Sequence, residues 1–393
     1  MLALSGIRVV EFGQIAAGPF AGLLLADMGA DVIKVEAREG DGMRQWPPLT
    51  DGYSENFASL NRNKRSIVLD LKSPDHLAHA RKLCAGADVV IENFRPGAMN
   101  RLGLGFDELK VLSPALVYCS ISAFGQEGPR AQQGGFDVSI QAIGGVMSVT
   151  GEPDGAPVKC GVPVSDFAAG LYAAFSIVCA LRQVASGLGG GHIDVPMLGT
   201  TLGIAALQVS EYFGTGIDPK KLGSAHPRNA PYQAFRCADG YFVMAAGNND
   251  LYRRACEAIQ RGELVDDPRF ATPILRARNQ TILKDLLEAT FVTLPAKTCL
   301  ALMVEAGVPC APINTYSEAL ADPQVAHYGW VQPMPLPGGA ETRAFTTPIS
   351  FNGEGGSVFR RPPALGEHTD EVLAELDRPA AGTTPAQSIG HLR

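Results

Sequence analysis

The sequence predicts an α/β protein in which a large Rossmann-like domain, built on a doubly wound and mostly parallel sheet, precedes a smaller α+β domain. Apolar runs of strand length alternate with helix-length patterns through the first 200 residues, which is typical of an open parallel sheet. The chain has 393 residues, a length that favours two domains. Charged residues make up only 19%, while glycine and proline number 44 and 28, as in compact enzymes with many tight turns.

The first βαβ unit opens the chain. Residues 7–12 form a short apolar run that stops at Gly13, as a buried strand does. Residues 17–28 have a helical pattern, and Asp31–Glu36 follows as the next strand. This order predicts a right-handed crossover between parallel strands. The remaining strands of the sheet are predicted at residues 66–71, 88–92, 116–121 and 192–196.

A turn-rich linker separates the sheet from the smaller domain. A hairpin pattern at residues 232–235 and 241–246 turns at Asp239-Gly240, and three helical patterns follow. From Asp322 onward the chain is rich in proline and glycine. The predicted segments are a large domain at residues 1–200, a linker at 201–225, a small α+β domain at 226–315 and a return linker and C-terminal segment at 316–393 that packs on the large domain.

Composition and charge narrow the class of partner. The net charge is −7 and no Lys/Arg block occurs, so nucleic-acid binding is not indicated. The eight cysteines show neither a C-x-x-C pair nor a Cys/His spacing for a metal, so we expect reduced core thiols and no metal site. The longest apolar run, residues 167–181, is shorter than the ~20 residues of a membrane span. We therefore predict a cytoplasmic protein that does not bind membranes.

The segment Gly161-Val-Pro-Val-Ser-Asp-Phe-Ala-Ala-Gly170 opens a long apolar helical pattern. Ser165 and Asp166 stand where helix N-caps stand. The helix dipole and free backbone N–H groups stabilise a carboxylate there, so we expect Asp166 to stay ionised and fixed in direction. Such a carboxylate suits covalent catalysis. The alternative is that Asp166 only caps a buried helix.

Three loops are predicted at the carboxyl ends of the strands, where doubly wound sheets bind ligands. They are residues 13–18, 37–44 and 93–98. The first loop lacks the G-x-G-x-x-G spacing of dinucleotide sites, which disfavours a nicotinamide cofactor. Basic side chains in or near the loops either suit a phosphorylated ligand or are solvated surface charge. They are Arg38, Arg44, Lys64, Arg65, Arg95 and Arg101.

Sequence blocks in a fixed order carry a family resemblance. They are L-x-G-I-R-V-V-E-F, L-A-D-M-G-A-D-V-I-K-V-E, V-I-E-N-F-R-P-G-A-M-N-R-L-G-L and L-G-E-H-T-D-E-V-L. Together they resemble the class III coenzyme A transferases, a family that includes formyl-CoA and carnitine CoA-transferases and α-methylacyl-CoA racemases. The resemblance covers residues 4–376. It implies an interlocked homodimer of two-domain subunits, with coenzyme A or acyl-CoA as substrate and no tightly bound cofactor.

The resemblance also decides between two chemistries of that family. Its transferases use an aspartate nucleophile at the position of Asp166. Its racemases add a histidine in a Gly-His-Asp block, which here is Gly135-Phe136-Asp137. An imidazole can exchange a proton at an α-carbon and a phenyl ring cannot. Transfer is therefore favoured over racemisation.

Candidate binding residues follow from the same resemblance. Those for CoA are Ile15, Leu69, Asn93, Phe94, Ala98 and Arg101, with Arg38 matched after a one-residue shift. Those for the acyl or acceptor group are Gln14, Ala16, Arg44, Phe136 and His226. The glutamine of formyl-CoA transferase falls at Ala16 and its four-glycine lid is absent, so oxalate is not the expected acceptor. Arg44, or His226 with Arg228, would bind the second carboxylate of a dicarboxylate.

Motifs of the second domain, including G-S-A-H at residues 223–226 and A-G-N-N at 246–249, resemble the branch that acts on dicarboxylates, such as succinyl-CoA:glutarate (hydroxymethylglutarate) CoA-transferase. We predict CoA transfer from succinyl-CoA to a C4–C6 dicarboxylate through mixed anhydrides and an aspartyl-CoA thioester, without ATP or metal. The alternatives are intramolecular CoA transfer on a dicarboxylyl-CoA of the mesaconyl-CoA type, an acyl-CoA racemase, and a non-catalytic acyl-CoA-binding protein.

Overall fold

A computed structural model describes residues 2–377 and contains a six-stranded parallel sheet. In chain order the strands are β1 Arg8–Phe12, β2 Asp31–Glu36, β3 Lys64–Val68, β4 Val89–Glu92, β5 Val117–Ser122 and β6 Gly191–Pro196. Their spatial order is β3-β2-β1-β4-β5-β6, and every pairing is parallel. In this doubly wound order the winding reverses between β1 and β4. The predicted α/β fold with a parallel sheet is confirmed.

Helices cover both faces of the sheet, and successive strand residues alternate between two cores. Val9 packs in one core with Ala17–Asp27 (the first helix) and Val164–Ala185 (the long helix). Val10 packs in the other core with Leu83. This alternation is required of a strand that is buried on both faces. Further helices of this unit are Glu55–Asn61, Pro74–Ala85, Ala98–Arg101, Phe106–Leu112, Asp137–Ile143, Met197–Ile204 and Thr369–Asp377.

The first helix and the long helix approach each other closely at a glycine. A Cβ on Gly170 would lie 2.8 Å from Phe20 Cδ1 and 2.9 Å from the carbonyl oxygen of Ala17. Only a residue without a side chain permits this approach. The rings of Phe20 and Phe167 meet edge-on at a centroid distance of 4.7 Å. These contacts hold the first turn of the long helix beside the start of the first helix.

The long helix has 22 residues and is apolar enough to cross a membrane by length and composition. It extends beyond the predicted apolar run of residues 167–181 at both ends. A bent pair, Gln280–Phe291 with Ala296–Glu305, passes the same test only when the two helices count as one span. In the structure 39% of the most apolar 18-residue stretch of the long helix is buried, and Ala173 and Ile177 pack in the sheet core. Length and composition are weak evidence for a membrane span here, because the buried core helix of a globular unit has the same properties.

A second compact unit comprises Gly145–Cys160 and Leu207–Pro323. Its antiparallel sheet contains Tyr232–Cys237, Gly240–Ala245 and Cys310–Pro312, and the predicted hairpin between the first two strands is confirmed. The rings of Phe235, Phe242 and Phe291 are fully buried and contact one another in its core. Its helices include Asn249–Ala258, Pro273–Arg278, Gln280–Phe291, Ala296–Glu305 and Tyr316–Leu320, and Ala206–Thr215 begins at the boundary.

One segment belongs to a different unit from the one predicted. Gly145–Cys160 belongs to the second unit, although it falls within the predicted large domain of residues 1–200. The Nζ of Lys221 donates to the carbonyl oxygens of Gly155 and Ala156 at 3.0 and 2.9 Å. These bonds tie the segment to the second unit. They join residues far apart in the chain, so no local pattern predicts them.

Residues 324–377 belong to the first unit. Glu371 and Glu375, on the last helix, meet Arg65 at 2.9 and 2.6 Å. Arg65 is therefore a buried structural residue of β3 and not a loop charge, which corrects the sequence interpretation. Two hairpins precede that helix, Val331–Pro335 with Glu341–Phe345 and Ser350–Phe351 with Glu354–Gly355. Residues 378–393 of the predicted C-terminal segment lie outside the described residues.

Candidate active site

A cleft of 390 Å³ opens at the carboxyl edge of the parallel sheet. Its lining consists of residues 14–17 after β1, 93–96 after β4, 121–123 at the end of β5 and 133–136, with Asp166 and Met197. The cleft thus lies where the winding reverses between β1 and β4, the usual ligand position in such sheets. Its volume is within the range of small-molecule sites, roughly 300–1,000 Å³.

The loop between β1 and the first helix is held from both sides by neighbouring loops. Asn93 accepts a hydrogen bond from the backbone N–H of Gln14 and donates one to its carbonyl oxygen, each 2.9 Å long. Asp41 accepts from the backbone N–H of Ile15 through both carboxylate oxygens, at 3.2 and 3.1 Å. Ile15 has a φ of 64°, a left-handed conformation that β-branched residues rarely adopt. The neighbouring side chains therefore impose the conformation of this loop.

A buried cluster of charges lies beneath the loop. Lys34 Nζ meets Glu11 at 3.1 Å and Asp41 at 3.0 Å, and Lys64 Nζ meets Glu11 at 2.8 Å. Burial lowers the pKa of Lys64 to about 8. For Lys34 burial acts in the same direction, but Glu11 and Asp41 outweigh it and raise the pKa. Lys64 is fully buried, so the interpretation of it as a phosphate ligand or surface charge is wrong.

Asp166 lies in the first turn of the long helix and lines the cleft. The helix begins at Val164 with Pro163 as its N-cap, so Asp166 is the third helical residue and not the predicted cap. Among residues 2–377 no side chain or backbone N–H donates a hydrogen bond to its carboxylate. Burial and the nearby Asp137 raise the pKa of Asp166 to about 7. This shift is opposite in direction to the one expected from a carboxylate stabilised at a helix start.

Sequence reasoning missed the role of Asp137. Its Oδ1 accepts a hydrogen bond from the backbone N–H of Ser165 at 2.9 Å, and its Oδ2 accepts from Gln141 at 2.7 Å. The hydroxyl of Thr201 also donates to Ser165 Oγ at 2.9 Å. Asp137 thus fixes the first turn of the long helix and places a negative charge near Asp166. In the block Gly135-Phe136-Asp137 the sequence-based prediction rests on the phenylalanine alone, and no local pattern indicates a contact between Asp137 and Ser165.

The cleft brings together many of the residues predicted to contact substrates. Those that line it are Gln14, Ile15, Ala16, Asn93, Phe94, Phe136 and Asp166. Phe136 is 77% exposed, so its ring is accessible to a ligand. The amide of Asn93 is already bonded to the backbone of Gln14. Asn93 therefore shapes the cleft through the loop that it holds.

The other predicted CoA residues lie outside the cleft lining. The side chain of Leu69 is buried in a sheet core and is inaccessible to a ligand. Ala98 and Arg101 are the first and last residues of one short helix, and Arg101 is exposed. Arg38 is also exposed, with its Nε 3.6 Å from Asp70. The two arginines are therefore accessible to phosphate groups.

Arg44 is not available as a ligand for a substrate carboxylate. Its guanidinium forms hydrogen bonds of 2.7 and 2.6 Å with Glu36 and one of 3.1 Å with the carbonyl oxygen of Pro363. The same group lies 3.8 Å from the centre of the Phe57 ring. These contacts occupy the planar fork of the guanidinium. The position of Arg44 does not support the predicted role, because a buried acidic partner holds it.

His226 lies in the second unit. Its Nδ1 accepts hydrogen bonds from the backbone N–H groups of Arg228 and Asn229 at 3.1 and 3.0 Å. Burial and the charge of Arg228 lower its pKa. Arg228 in turn meets Glu211 at 2.8 Å. The lowered pKa disfavours the cationic form of His226, and Arg228 already has an acidic partner.

Arg95 is the arginine that lines the cleft. It is exposed, and within residues 2–377 it forms no ion pair. Its Nη2 would lie 3.2 Å from a Cβ on Gly134, so the guanidinium rests against another part of the cleft wall. From its position in the sequence Arg95 is a basic residue near a loop, and it is not among the predicted substrate ligands.

The described part of the chain, residues 2–377, contains all of the cysteines. Within it no group of three or more His, Cys, Asp or Glu side chains could hold a metal ion. No disulfide bond joins any two of the eight cysteines, all of which lie within residues 2–377.

Known proteins resemble the chain along most of its length. The profile of CoA-transferase family III matches residues 4–369. A succinate–glutarate CoA-transferase of Agrobacterium fabrum is 40% identical over 97% of this chain and 98% of its own length. A succinyl-CoA–D-citramalate CoA-transferase of Chloroflexus aurantiacus is 36% identical over 95% and 94%. A solved CAIB/BAIF family protein from Brucella suis is 41% identical, with a TM-score of 0.86 over 96% of this chain and 100% of that one.

Proposed function

Since the chain belongs to CoA-transferase family III, we propose that it transfers CoA from succinyl-CoA to a C4–C6 dicarboxylate through a covalent bond to Asp166. The observation that carries this proposal is the carboxylate of Asp166, which lines the cleft with a pKa raised to about 7. The names of two relatives, a succinate–glutarate and a succinyl-CoA–D-citramalate CoA-transferase, support the choice of substrates.

The first half of the reaction exchanges the donor acyl group for CoA on the protein. A carboxylate oxygen of Asp166 attacks the thioester carbonyl carbon of succinyl-CoA, the C–S bond breaks, and CoA leaves as a thiolate. The thiolate attacks the aspartyl carbonyl carbon of the resulting mixed anhydride, and succinate leaves. The product is an Asp166–CoA thioester.

The second half repeats these steps with the acceptor. The acceptor carboxylate attacks the aspartyl thioester, CoA thiolate leaves, and a new mixed anhydride forms. The thiolate then attacks the acceptor's acyl carbon, which releases the new acyl-CoA and restores the carboxylate of Asp166. No ATP is consumed because the thioester is preserved. No proton moves, so the chemistry requires no general base at Phe136.

The raised pKa of Asp166 suits a nucleophile. Burial removes water from the carboxylate, and the charge of Asp137 further disfavours the ionised form. A more basic carboxylate is a stronger nucleophile, and at a pH equal to its pKa half of it is still ionised. Asp166 is therefore both reactive and available near neutral pH.

Each step generates an oxyanion that needs N–H donors. The start of the long helix offers few, because the N–H of Ser165 donates to Asp137 and that of Val164 donates to the carbonyl oxygen of Val162. The backbone N–H groups of Ala17 and Gly18 have no acceptor among residues 2–377, and Ala17 lines the cleft. We assign the oxyanion donors to these two groups. Loss of such a donor costs about 3–4 kcal/mol in comparable enzymes.

Arg38 and Arg101 are the proposed ligands of the CoA phosphates. Both arginines are exposed: Arg38 lies in the loop after β2, and Arg101 ends the short helix after β4. The segments that follow β2 and β4 flank the loop that follows β1 in the sheet order. In this proposal the part of the cleft wall formed by Ile15, Asn93 and Phe94 lies between the two arginines and Asp166. No tightly bound cofactor takes part.

Arg95 is the proposed partner of the acceptor's second carboxylate. A dicarboxylate reacts through one end, and its other charge must be paired when it enters a partly dehydrated site. Arg44 is held by Glu36, whereas Arg95 lines the cleft without an ion pair among the described residues. An arginine can bind a carboxylate through two parallel hydrogen bonds. Arg95 therefore replaces Arg44 in this role.

We propose that the enzyme is a cytoplasmic homodimer. The long helix exposes Leu171, Phe175 and Val178 by 54, 69 and 44%. Spacings of four and three residues place these side chains on one stripe, and an apolar stripe of this kind marks an interaction surface. A second copy of the chain, interlocked as the family resemblance implies, is the proposed partner. Cysteines that form no disulfide pair within residues 2–377 suit a reducing compartment.

The proposal is tested with purified protein, succinyl-CoA and glutarate. We expect glutaryl-CoA as product and, with succinyl-CoA alone, a CoA adduct on Asp166 by peptide mass spectrometry. Asp166→Ala and Asp166→Asn should show neither, whereas the surface control Asp154→Ala should behave like the wild type. Appreciable turnover by Asp166→Ala would refute the nucleophile. Exchange of an α-proton in deuterated water without transfer would instead indicate a racemase, and binding without either reaction a non-catalytic protein.

A further inference from the structure

We propose that Asp41 and Lys34 are positioning residues for the transfer reaction, because they hold Ile15 in a left-handed conformation that sets the cleft wall beside Asp166. This inference rests on the proposed function of the cleft. Neither Asp41 nor Lys34 lines the cleft, so both act through the backbone of the loop. They are distinct from the residues assigned above to CoA, the acceptor and the oxyanion.

Ile15 needs an external restraint to keep its conformation. Its φ of 64° is in the left-handed region, where the Cβ of an L-residue crowds its own backbone and a β-branched side chain fits worst. Such strain persists only where surrounding contacts over-determine the structure, and it concentrates at functional sites. Ile15 lines the cleft, so the strained residue is itself part of the wall.

Asp41 supplies the restraint on the N–H side of Ile15. Both of its carboxylate oxygens accept from that N–H, and Oδ1 also accepts from the backbone N–H of Met43 at 3.0 Å. The backbone N–H of Asp41 donates to Glu36 Oε2 at 3.0 Å. Asp41 is buried, with 2% exposure. Its carboxylate is therefore fixed by β2 and by its own turn, and does not move with the loop.

Lys34 holds the same turn at a second point. Its Nζ donates to the carbonyl oxygen of Gly13 at 2.5 Å and pairs with Asp41 Oδ2 at 3.0 Å. Glu11, at 3.1 Å, completes the set of partners. The ammonium group thus joins the residue that precedes the turn to the carboxylate that binds Ile15. A fully buried ion network contributes little net stability, but this one fixes where the loop lies.

The position of the loop matters because the first helix starts from it. Ala17 is both the first residue of that helix and part of the cleft wall. Its carbonyl oxygen would lie 2.9 Å from a Cβ on Gly170, so it stands directly against the helix that carries Asp166. If the turn relaxes, the wall moves relative to the carboxylate. A shift of about 1 Å at a reacting centre can cost about 100-fold in rate.

The test is a double-mutant cycle with succinyl-CoA and glutarate as substrates. Asp41→Ala should lower kcat about 100-fold with much less change in the KM for succinyl-CoA. Glycine adopts positive φ without steric cost, so Ile15→Gly should remove most of the need for Asp41. In the Ile15→Gly background we therefore expect Asp41→Ala to lower kcat by only about 10-fold, a roughly tenfold coupling. Lys34→Met should show coupling to Ile15→Gly in the same direction.

The matched control is Asp27, a buried carboxylate at the C-terminal end of the first helix, whose N-terminal end follows the loop that contains Ile15. It accepts hydrogen bonds from Arg62 and Asn63 at 2.6 and 2.8 Å and does not touch the loop. Asp27→Ala should lower the melting temperature but show no coupling to Ile15→Gly in kcat. If Asp41→Ala does not fold, Asp41→Asn takes its place; it keeps one acceptor oxygen for the N–H of Ile15 and loses the ion pair with Lys34, so we expect a smaller coupling in the same direction.

Equal kcat losses for the Asp41 variant in both backgrounds, or equal coupling for Asp27, would overturn the inference while the proposed function stands. A wild-type protein that transfers no CoA would overturn the proposed function, and the inference with it.

Discussion

The carboxylate of Asp137 accepts a 2.9 Å hydrogen bond from the backbone N–H of Ser165, the residue that precedes Asp166. This bond uses an N–H group at the start of the long helix that would otherwise favour an anion at the cleft. It also fixes a negative charge near the proposed nucleophile. After burial, that charge is the second cause of the raised pKa of Asp166. Asp137 therefore adjusts the chemistry of Asp166 without being a reactant.

We expect the rate to rise with pH and to level off above an apparent pKa near 7. Only the ionised form of Asp166 attacks the thioester, and its pKa is raised to about 7 by burial and by Asp137. Asp137→Asn should move the midpoint of the kcat profile to lower pH. The measurement is kcat between pH 5 and 9 with saturating succinyl-CoA and glutarate. A profile that is flat across this range would contradict the assignment.

The same shift predicts how stability depends on pH. The folded-state pKa of Asp166, about 7, lies above its ordinary value of 3.8, so the folded state binds the proton more tightly between these values. The resulting stability is present below about pH 4 and is lost as the pH rises through 7. Asp166→Asn, which cannot ionise, should therefore gain stability relative to the wild type between pH 5 and pH 8. Urea unfolding of the wild type and Asp166→Asn at pH 5 and pH 8 measures the stability difference between the two proteins. The same difference at both pH values would argue against the raised pKa.

Gly170→Ala should destabilise the protein and impair transfer. The added Cβ would meet Phe20 and the carbonyl oxygen of Ala17 at 2.8 and 2.9 Å, and would push the long helix away from the first helix. Overpacking of this kind typically costs about 1–3 kcal/mol. The control is Gly214→Ala, also in a helix, where a Cβ meets nothing within 4 Å and the change should be neutral or stabilising. Equal melting temperatures for the two variants would contradict this account of the helix contact.

The sheet could be predicted from the sequence because its strands are apolar runs between glycine-rich turns. The third strand shows the limit of that reasoning. The predicted strand is residues 66–71, whereas the observed strand is Lys64–Val68. The prediction leaves out Lys64 and Arg65 because they are charged, and charged residues are usually found outside the core. Their partners Glu11 and Asp31 lie on other strands. Only the folded structure pairs these charges and buries them.

The candidate site was predictable where a local pattern carried it and not where a distant contact did. Asp166 stands at the start of a helical pattern, and that start is visible in the sequence. Its pKa depends on burial and on Asp137, which is 29 positions earlier (166 − 137). Arg44 and Arg95 both stand in loops after strands. Only the structure shows that Glu36 holds the first and that the second lines the cleft.

Arg101→Ala should mainly weaken the binding of acyl-CoA. Arg101 is exposed on the short helix after β4, and a phosphate group bound there would be partly screened by salt. We expect a higher KM for succinyl-CoA, little change in kcat, and a smaller effect of added salt on KM than in the wild type. Steady-state kinetics at two salt concentrations test this. The exposed Arg253, paired with Asp250 and Glu257 in the second unit, is the control. An unchanged KM in Arg101→Ala would show that CoA binds elsewhere.

Arg95→Ala should alter the choice of acceptor. Arg95 lines the cleft and has no ion pair within the described residues, whereas the guanidinium of Arg44 is bound to Glu36. A second carboxylate that loses its cation must stay solvated or unpaired, which costs binding energy. We therefore expect a higher KM for glutarate, itaconate, mesaconate, citramalate and malate, and little change for acetate. Arg95→Lys should recover part of the loss, because it keeps the charge without the two-pronged geometry.

The measurement is a panel of these acceptors, oxalate, formate and carnitine with succinyl-CoA, with acyl-CoA products identified by mass spectrometry. Mesaconyl-CoA alone forms a further arm, since movement of CoA between its two carboxylates would use the same steps on Asp166. If Arg95→Ala affects acetate and glutarate equally, Arg95 does not bind the second carboxylate. If oxalate, formate or a carnitine-like acceptor outperforms every C4–C6 dicarboxylate in the wild type, the proposed acceptor class is wrong. The role of Asp166 would survive either result, because every acceptor must react through the same aspartyl thioester.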